Sequence, residues 1–131
     1  MHPPATVAHR INRLENDKII EGYITEYSNK ILGKIRYKAR ISTEKFSEKV
    51  QKKIYEYCKE HPDIVYFART IGKWNIEIEA DVSCVEEYEK LILGIKSNFA
   101  DNIGRSESMT VFREYKWTYW PGGPESHDGI W

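Results

Sequence analysis

The chain has 131 residues, enough for one ordinary domain with a hydrophobic core and an appendage, but tight for two full domains. Twenty Lys and Arg balance twenty Asp and Glu, and this zero net charge argues against a protein that coats nucleic acid over its whole surface. Two cysteines are too few for a disulfide framework, and we find neither a secretory signal nor a membrane-spanning run. We therefore expect a cytoplasmic protein that does not enter the membrane.

The first predicted element is a helix that begins at Pro4 and runs to Asn16. Val7, Ile11 and Leu14 form an apolar stripe at helical spacing. Pro4 suits the first helical turn, where its missing N–H costs nothing. The polar residues off the stripe include Thr6, His9, Arg10 and Arg13. This pattern is typical of the recognition helix of a helix-turn-helix unit, and because only three residues precede it, we expect a partial unit over residues 1–21.

Residues 34–41 alternate strictly between cationic and apolar side chains. The cations are Lys34, Arg36, Lys38 and Arg40, and the apolar residues are Ile35, Tyr37, Ala39 and Ile41. This period of two predicts a strand with one buried face and one cationic face.

A second helix is predicted after Ser42 and Thr43, whose hydroxyls can cap a first turn. Its apolar face is formed by Phe46, Val50, Ile54 and Tyr57 or Cys58, and it stops at residues 61–63. Residues 64–71 are rich in β-forming residues, and Gly72 with Lys73 predicts a tight turn.

A second alternating strand follows, and its outer face is anionic. The apolar residues are Trp74, Ile76, Ile78, Ala80 and Val82, and the polar ones are Asn75, Glu77, Glu79 and Asp81. A third helix is predicted to bury Val85, Tyr88, Leu91, Ile92, Ile95 and Phe99, and a last strand to run from about Arg105 to Trp117. Residues 119–131 are rich in Pro and Gly and predict a flexible tail, with Trp131 either loose or docked on a surface.

The order strand, helix, hairpin, helix, strand is the split βαβ order of a ferredoxin-like fold, an α+β class with a four-stranded antiparallel sheet and two helices on one face. The first and third strands are central neighbours in that fold. We therefore expect the cationic row to lie beside the anionic row, on the face away from the helices. Opposite charges on neighbouring strands contribute roughly 0.2–1 kcal/mol each, and a slip of one residue would bury a charge row.

Taken together, these motifs resemble the Lrp/AsnC, or feast/famine, transcriptional regulators. The resemblance is carried by residues 7–15, by Ile19-Ile20-Glu21-Gly22-Tyr23, and by a split βαβ domain with Gly72-Lys73-Trp74-Asn75 at its hairpin. It implies a truncated helix-turn-helix at residues 1–21, a linker strand at 22–30, and a sensing and oligomerisation domain at 31–118. It also implies a DNA-binding regulator that dimerises through its sheet and senses an amino acid or similar small molecule.

The resemblance also implies particular site residues. Duplex DNA would be contacted by Thr6, His9, Arg10 and Arg13, since Arg can grip guanine and Thr and His can donate to phosphates or bases. The alternative is a linker helix whose polar face meets only water. The effector would be bound by Arg69, Thr70, Gly72, Trp74, Asn75, Val85, Ser106, Ser108, Met109 and Thr110, at an interface between dimers.

Several of these effector residues have a structural alternative. Asn75 departs from the aspartate of many relatives and lacks the charge to pair with an ammonium group. Gly72 can simply permit a turn, and Trp74 and Met109 can be packing residues.

A homodimer or a higher oligomer is the expected state, with Tyr66, Phe112 and Tyr115 as apolar contacts and Trp117 and Trp120 as additional ones. An enzyme is not expected, because no phosphate loop, nucleophile elbow or histidine beside a nucleophile occurs. Cys58 and His61 are two ligands where a metal needs three or four, so neither a metal nor a cofactor is expected. The alternative function is a small-molecule-binding or oligomerisation module that lacks DNA binding.

Overall fold

The computed structural model describes residues 3–44 and 47–115 and confirms the ferredoxin-like order of elements. A helix, α1, precedes the domain, and the domain then follows the order strand, helix, two strands, helix, strand. The elements are α1 (Pro4–Asn16), β1 (Ile35–Thr43), α2 (Glu48–Lys59), β2 (Ile64–Arg69), β3 (Ile76–Val82), α3 (Val85–Asn98) and β4 (Ile103–Thr110). The four strands form one antiparallel sheet in the order β2-β3-β1-β4, with β1 and β3 at its centre as predicted.

The hydrophobic core lies between one face of the sheet and the helices α2 and α3. Ile41 and Ile78 of the central strands are each 1% exposed, and Ile54 of α2 and Ile95 of α3 are fully buried. Since burial of apolar surface is the dominant favourable term in folding, the alternating pattern of β1 and β3 places both helices on this face.

The opposite face of the sheet carries the two charge rows side by side, as predicted. Arg36 pairs with Asp81, Lys38 with Glu79, and Arg40 with Glu77 across β1 and β3. Ion pairs connect the rows directly and diagonally, with Lys38 Nζ at 2.9 Å from carboxylate oxygens of both Glu77 and Glu79. Glu79 and Asp81 are almost fully buried by their partners. This burial makes the network strongly dependent on every member, since an unpaired buried charge is costly.

Several predicted boundaries are wrong, and Trp74 and Asn75 precede β3, which begins at Ile76. Ser42 and Thr43 do not cap α2, because both belong to β1. The Ser42 hydroxyl accepts from Arg105 N at 2.9 Å, which ties it to β4. The strand β2 ends at Arg69 rather than Ile71, and β4 ends at Thr110, so residues 111–115 do not extend it towards Trp117. Strand β4 lies beside β1, and beyond their last pair, Thr110 with Tyr37, one further backbone bond runs from Val111 N to Arg36 O at 2.9 Å. Phe46, Lys45 and residues 116–131, including the predicted tail and its tryptophans, lie outside the described residues.

The predicted linker strand at 22–30 is not a strand in this structure. Residues 21–28 have no regular structure, and residues 28–34 form turns in which Leu32 N donates to Ser28 O and Lys34 N to Asn29 O. A strand needs a neighbouring strand for its hydrogen bonds, and none of β1–β4 pairs with this segment. Within the described part of the chain, no helix is long and apolar enough to cross a membrane.

Candidate functional site

The structure contains a groove between α3 and the outer strand β4, with a volume of about 540 Å³. This is within the range of small-molecule sites, roughly 300–1,000 Å³. Its lining combines aromatic and aliphatic side chains with a few hydroxyl and charged groups. The lining residues are Tyr37, Val85, Tyr88, Glu89, Ile92, Leu93, Lys96, Ser108, Met109 and Thr110.

Two stacked tyrosines form one wall of the groove. The rings of Tyr37 on β1 and Tyr88 on α3 lie 4.4 Å apart at an interplanar angle of 15°. Tyr88 donates its hydroxyl hydrogen to Ser108 Oγ on β4 at 2.8 Å, so the stack is tied to the outer strand. Burial raises the pKa of Tyr88, and the hydrogen bond with Ser108 offsets part of this effect. The phenol is therefore a neutral hydrogen-bonding group at neutral pH.

Charged groups of both signs lie along α3 beside this wall. Glu89 and Lys96 both line the groove and both are exposed. Because they are seven residues apart on one helix, their Cα atoms are about 10 Å apart along its axis. The groove can therefore take a ligand with an apolar or aromatic body, hydrogen-bond it at Ser108 and Thr110, and offer opposite charges at two separate points.

Four of the ten predicted effector residues lie together in this groove. They are Val85 at the start of α3, and Ser108, Met109 and Thr110 at the end of β4. In register, Thr110 is opposite Tyr37, which explains why the end of β4 and the aromatic wall meet.

The other six predicted effector residues lie towards the opposite end of the sheet. Arg69 ends β2, and Thr70, Gly72, Trp74 and Asn75 form the hairpin to β3. Ser106 joins them, because it is opposite Ile41, whose carbonyl accepts from Asn75 N at 2.9 Å. The distance from Ile41 to Tyr37 along β1 is about 13 Å. One small molecule cannot contact both the hairpin and the groove within a single chain, whereas Ser106 lies only about 7 Å from Ser108 along β4.

Polar groups of the hairpin make hydrogen bonds within the hairpin and to β1. Thr70 donates its hydroxyl hydrogen to Trp74 O at 2.8 Å, and Asn75 Oδ1 accepts from the backbone N–H of Thr43 at 2.9 Å. Gly72 has φ of 142°, a conformation that side chains rarely adopt, so its turn role is directly visible. Lys73 Nζ lies 5.1 Å from the centre of the Trp74 ring. The structure thus assigns a conformational role to Gly72 and Asn75.

Sequence reasoning missed six residues of the groove. Tyr37, Tyr88 and Ile92 were predicted as core, and Glu89, Leu93 and Lys96 had no role. Leu93 lies off the buried stripe of α3 and is 64% exposed. An apolar residue on the polar side of a predicted helix was the available signal, but the stack of Tyr37 on Tyr88 depends on a tertiary contact.

The predicted DNA-contacting residues share one face of α1. The spacing of Thr6, Arg10 and Arg13 brings them to one side of a helix, together with His9. His9, Arg10 and Arg13 are exposed and Thr6 is half-buried. No residue of α1 is buried, and Val7 and Ile11 on its apolar stripe are 44% and 36% exposed.

Cys58 and His61 do not form a reactive pair. Burial raises the pKa of the Cys58 thiol to about 12, so it stays protonated at neutral pH. His61 Nδ1 lies 3.9 Å from Asp63 Oδ2. Among the residues that the structure describes, no group of three His, Cys, Asp or Glu side chains could hold a metal ion.

The structure is similar to solved transcriptional regulators. An AsnC family regulator from Agrobacterium tumefaciens matches with a TM-score of 0.71 at 20% identity, covering 86% of this chain and 73% of that one. A Neisseria meningitidis transcriptional regulator, solved as a complex with L-methionine, matches with a TM-score of 0.74 at 15% identity, covering 89% and 75%. Escherichia coli AsnC matches with a TM-score of 0.71 at 18% identity, covering 90% and 78%.

The chain therefore has the fold of the Lrp/AsnC transcriptional regulators, which confirms the predicted resemblance at the level of structure. Neither family models nor curated protein sequences give a match. At identities of 20% or less, the likeness defines the fold. DNA binding and effector binding must be argued from this chain's own residues.

Proposed function

We propose that this chain is a DNA-binding transcriptional regulator of Lrp/AsnC type whose ferredoxin-like domain senses an amino acid or similar small molecule. The observation that carries the proposal is the likeness to solved regulators over most of the chain, at TM-scores of 0.71 and 0.74. A transcriptional regulator acts on chromosomal DNA, so the cytoplasmic location expected from the sequence is part of the same proposal.

The DNA interface in this proposal is the polar face of α1. Arg10 and Arg13 are exposed there beside Thr6 and His9, and nothing in the described chain covers them. Arg can contact guanine with two hydrogen bonds or pair with phosphate, and Thr and His supply shorter contacts.

The effector site in this proposal is assembled from two copies of the chain. The groove with Val85, Ser108 and Thr110 lies at one end of the sheet, and the hairpin with Gly72 and Asn75 lies at the other. If the hairpin of a neighbouring copy closes the groove, all ten predicted residues can act on one ligand. The L-methionine complex of the Neisseria regulator supports an amino acid as the class of ligand.

A homodimer is also part of the proposal. Several large apolar side chains between α1 and β1 are exposed, including Tyr23 and Ile24 at 71% and Ile31 at 86%. Phe112 and Tyr115, predicted as contacts, are 97% and 82% exposed. Apolar surface of this extent on a short segment is typical of an interface rather than of a solvated loop.

The experiment is duplex binding, measured by fluorescence anisotropy as a function of salt. A pool of random duplexes serves as the probe, since non-specific binding also depends on phosphate contacts. We expect log K to fall linearly with log[salt], and each of Arg10→Ala and Arg13→Ala to reduce the slope by about 1 where the side chain contacts a phosphate. Lys52→Ala removes an exposed cation from α2 and should leave the slope unchanged. Absence of binding at low salt would contradict the DNA-binding part of the proposal.

The second candidate is a small-molecule-binding or oligomerisation module without DNA binding. The observation that favours it is that α1 buries no residue, since an isolated helix of 13 residues is marginal in water. A thermal-shift panel of amino acids separates the two functions. A ligand at 100 times its dissociation constant adds about 2.7 kcal/mol of stability, and such a ligand without duplex binding would favour the module.

A further inference from the structure

Asp81, at the end of β3, collects hydrogen bonds from two separate parts of the chain. Arg36 on the neighbouring strand β1 donates from Nε to Oδ1 and from Nη2 to Oδ2, each at 2.8 Å. Tyr27 donates its hydroxyl hydrogen to Oδ2 at 2.8 Å, and Asn29 donates from Nδ2 to Oδ1 at 3.0 Å. We call these four residues the Asp81 clamp. Each carboxylate oxygen thus accepts two hydrogen bonds, one from β1 and one from the segment that precedes it.

Tyr27 and Asn29 belong to the segment that joins α1 to the sheet. Residues 28–34 of this segment are folded into turns, and Lys34 N donates to Asn29 O at 2.8 Å just before β1 begins. The side-chain oxygen of Asn29 is buried and has no partner among the described residues, and the bond from its Nδ2 to Asp81 is the one side-chain hydrogen bond that Asn29 makes there. We call residues 27–34 the strap.

Tyr27 is the first residue along the described chain that is hydrogen-bonded to the sheet. Before it, the bonds remain local, such as the one that Tyr23 donates to Glu15 Oε1 at 2.7 Å within the α1 region. Residues 21–26 have no regular structure. The part of the chain before Tyr27, including α1, is therefore joined to the sheet through the strap.

The ion pair at the centre of the clamp is largely buried, whereas Tyr27 is 40% exposed. Asp81 is 4% exposed although it lies on the face of the sheet away from the helices, and the Arg36 side chain is 19% exposed. Charge-assisted and bidentate hydrogen bonds are the stronger ones, and in a buried position they are little weakened by salt. A clamp with this geometry holds one arrangement of the strap.

We propose that the Asp81 clamp is the anchor by which the sheet fixes the segment carrying α1, so that Asp81, Tyr27 and Asn29 are positioning residues for α1. This goes beyond the proposed function, because the clamp acts whether or not α1 contacts DNA. Loss of the bonds from Tyr27 and Asn29 releases the strap and leaves the pairing of Arg36 with Asp81 in place.

The test is limited trypsin digestion of the full chain, with the rate of cleavage after Lys30 in the strap divided by the rate after Lys18, outside it. Tyr27→Phe removes one hydroxyl and keeps the ring. We expect it to raise this ratio about fivefold, the equilibrium equivalent of roughly 1 kcal/mol for one hydrogen bond. Asp81→Asn should raise it further, and Tyr27→Phe keeps the test decisive if Asp81→Asn fails to fold.

Two matched controls distinguish anchoring from general stabilisation. Tyr23→Phe removes the hydroxyl that bonds Glu15 across the segment containing Lys18, so it should not raise the ratio. Glu77→Gln breaks ion pairs with Lys38 and Arg40 in the same charge rows but touches no strap residue. It should lower the urea midpoint of unfolding without raising the ratio. An unchanged ratio in Tyr27→Phe, or an equal rise in Glu77→Gln, would overturn the proposal, and neither result bears on duplex binding.

Discussion

Tyr57 of α2 and Gly94 of α3 meet so closely that a Cβ atom built on Gly94 would lie 2.9 Å from the Tyr57 hydroxyl oxygen. Real Cβ atoms are not found at this distance from another heavy atom, so either the tyrosine shifts or position 94 stays glycine. Tyr57 also packs edge-on against Phe99, with ring centres 5.7 Å apart, which restricts how far its ring can move. A glycine inside a helix is thus explained by the neighbouring helix.

This contact predicts a coupled pair of substitutions. Gly94→Ala gains about 1 kcal/mol in helix propensity but places its methyl group against the Tyr57 hydroxyl. In Tyr57→Phe the hydroxyl is absent, so Gly94→Ala should stabilise that variant. In the unsubstituted chain, Gly94→Ala should stabilise less or destabilise. A double-mutant cycle by urea unfolding measures this, and equal effects in both backgrounds would contradict the contact.

Acid should weaken the fold through the charge rows. Burial opposes ionisation of Asp81, but hydrogen bonds from Arg36, Tyr27 and Asn29 outweigh it and lower its pKa below 3.8. Glu77 is similarly affected by burial, and its bonds with Lys38 and Arg40 lower its pKa below 4.5. A lowered pKa in the folded state means stability that is fully present above the unfolded value and lost as pH falls through the folded one.

We therefore expect the contribution of these two carboxylates to the free energy of unfolding to stay constant from neutral pH down to about 5. It should fall below pH 4. Asp81→Asn should lower stability at neutral pH and flatten the acid dependence. Urea unfolding across this pH range measures both effects. A variant that retains the full acid dependence would rule out Asp81 as a main contributor.

The bond between Asn75 and β1 predicts how position 75 responds to substitution. Asn75 Oδ1 accepts from Thr43 N at 2.9 Å and from the Thr43 hydroxyl at 3.2 Å. Asn75→Asp keeps an acceptor at this place, so the fold should tolerate it, whereas Asn75→Ala leaves the partly buried Thr43 N–H unsatisfied and should cost about 1–3 kcal/mol. Thermal unfolding of both variants checks this order, and small, equal effects of the two substitutions would contradict the bond to Thr43.

The tyrosine wall predicts which residues a groove ligand needs. Tyr88→Phe removes the bond to Ser108 and keeps the ring, so it should change stability by about 1 kcal/mol or less and preserve the stack on Tyr37.

Leu93→Lys places a charge at an exposed groove position with little effect on folding. For any ligand found by thermal shift, we expect Leu93→Lys to weaken binding, while Lys52→Ala serves as the neutral control. Unchanged affinity in Leu93→Lys would place the ligand elsewhere.

The element order could be predicted because β1 and β3 alternate strictly and the three helices repeat at helical spacing. The ends of the elements could not be predicted, since the local sequence around Ser42 is compatible with a helix cap and with a strand residue. Its bond to Arg105, 63 residues away, decides between them. For the same reason residues 22–30 form no strand in this structure, because strand formation depends on a partner that local sequence does not specify.

By itself, the alternation of charge and apolar residues determined the fold class and placed the cationic row of β1 beside the anionic row of β3, because a slip of one residue would bury charged side chains. Tertiary structure alone decided the site. It divided the ten predicted effector residues between two ends of the sheet, brought Tyr37 onto Tyr88, and drew Tyr27 and Asn29 to Asp81. These contacts join residues about 50 positions apart, and a distance of that kind in sequence is set by how the elements pack, which local periodicity does not encode.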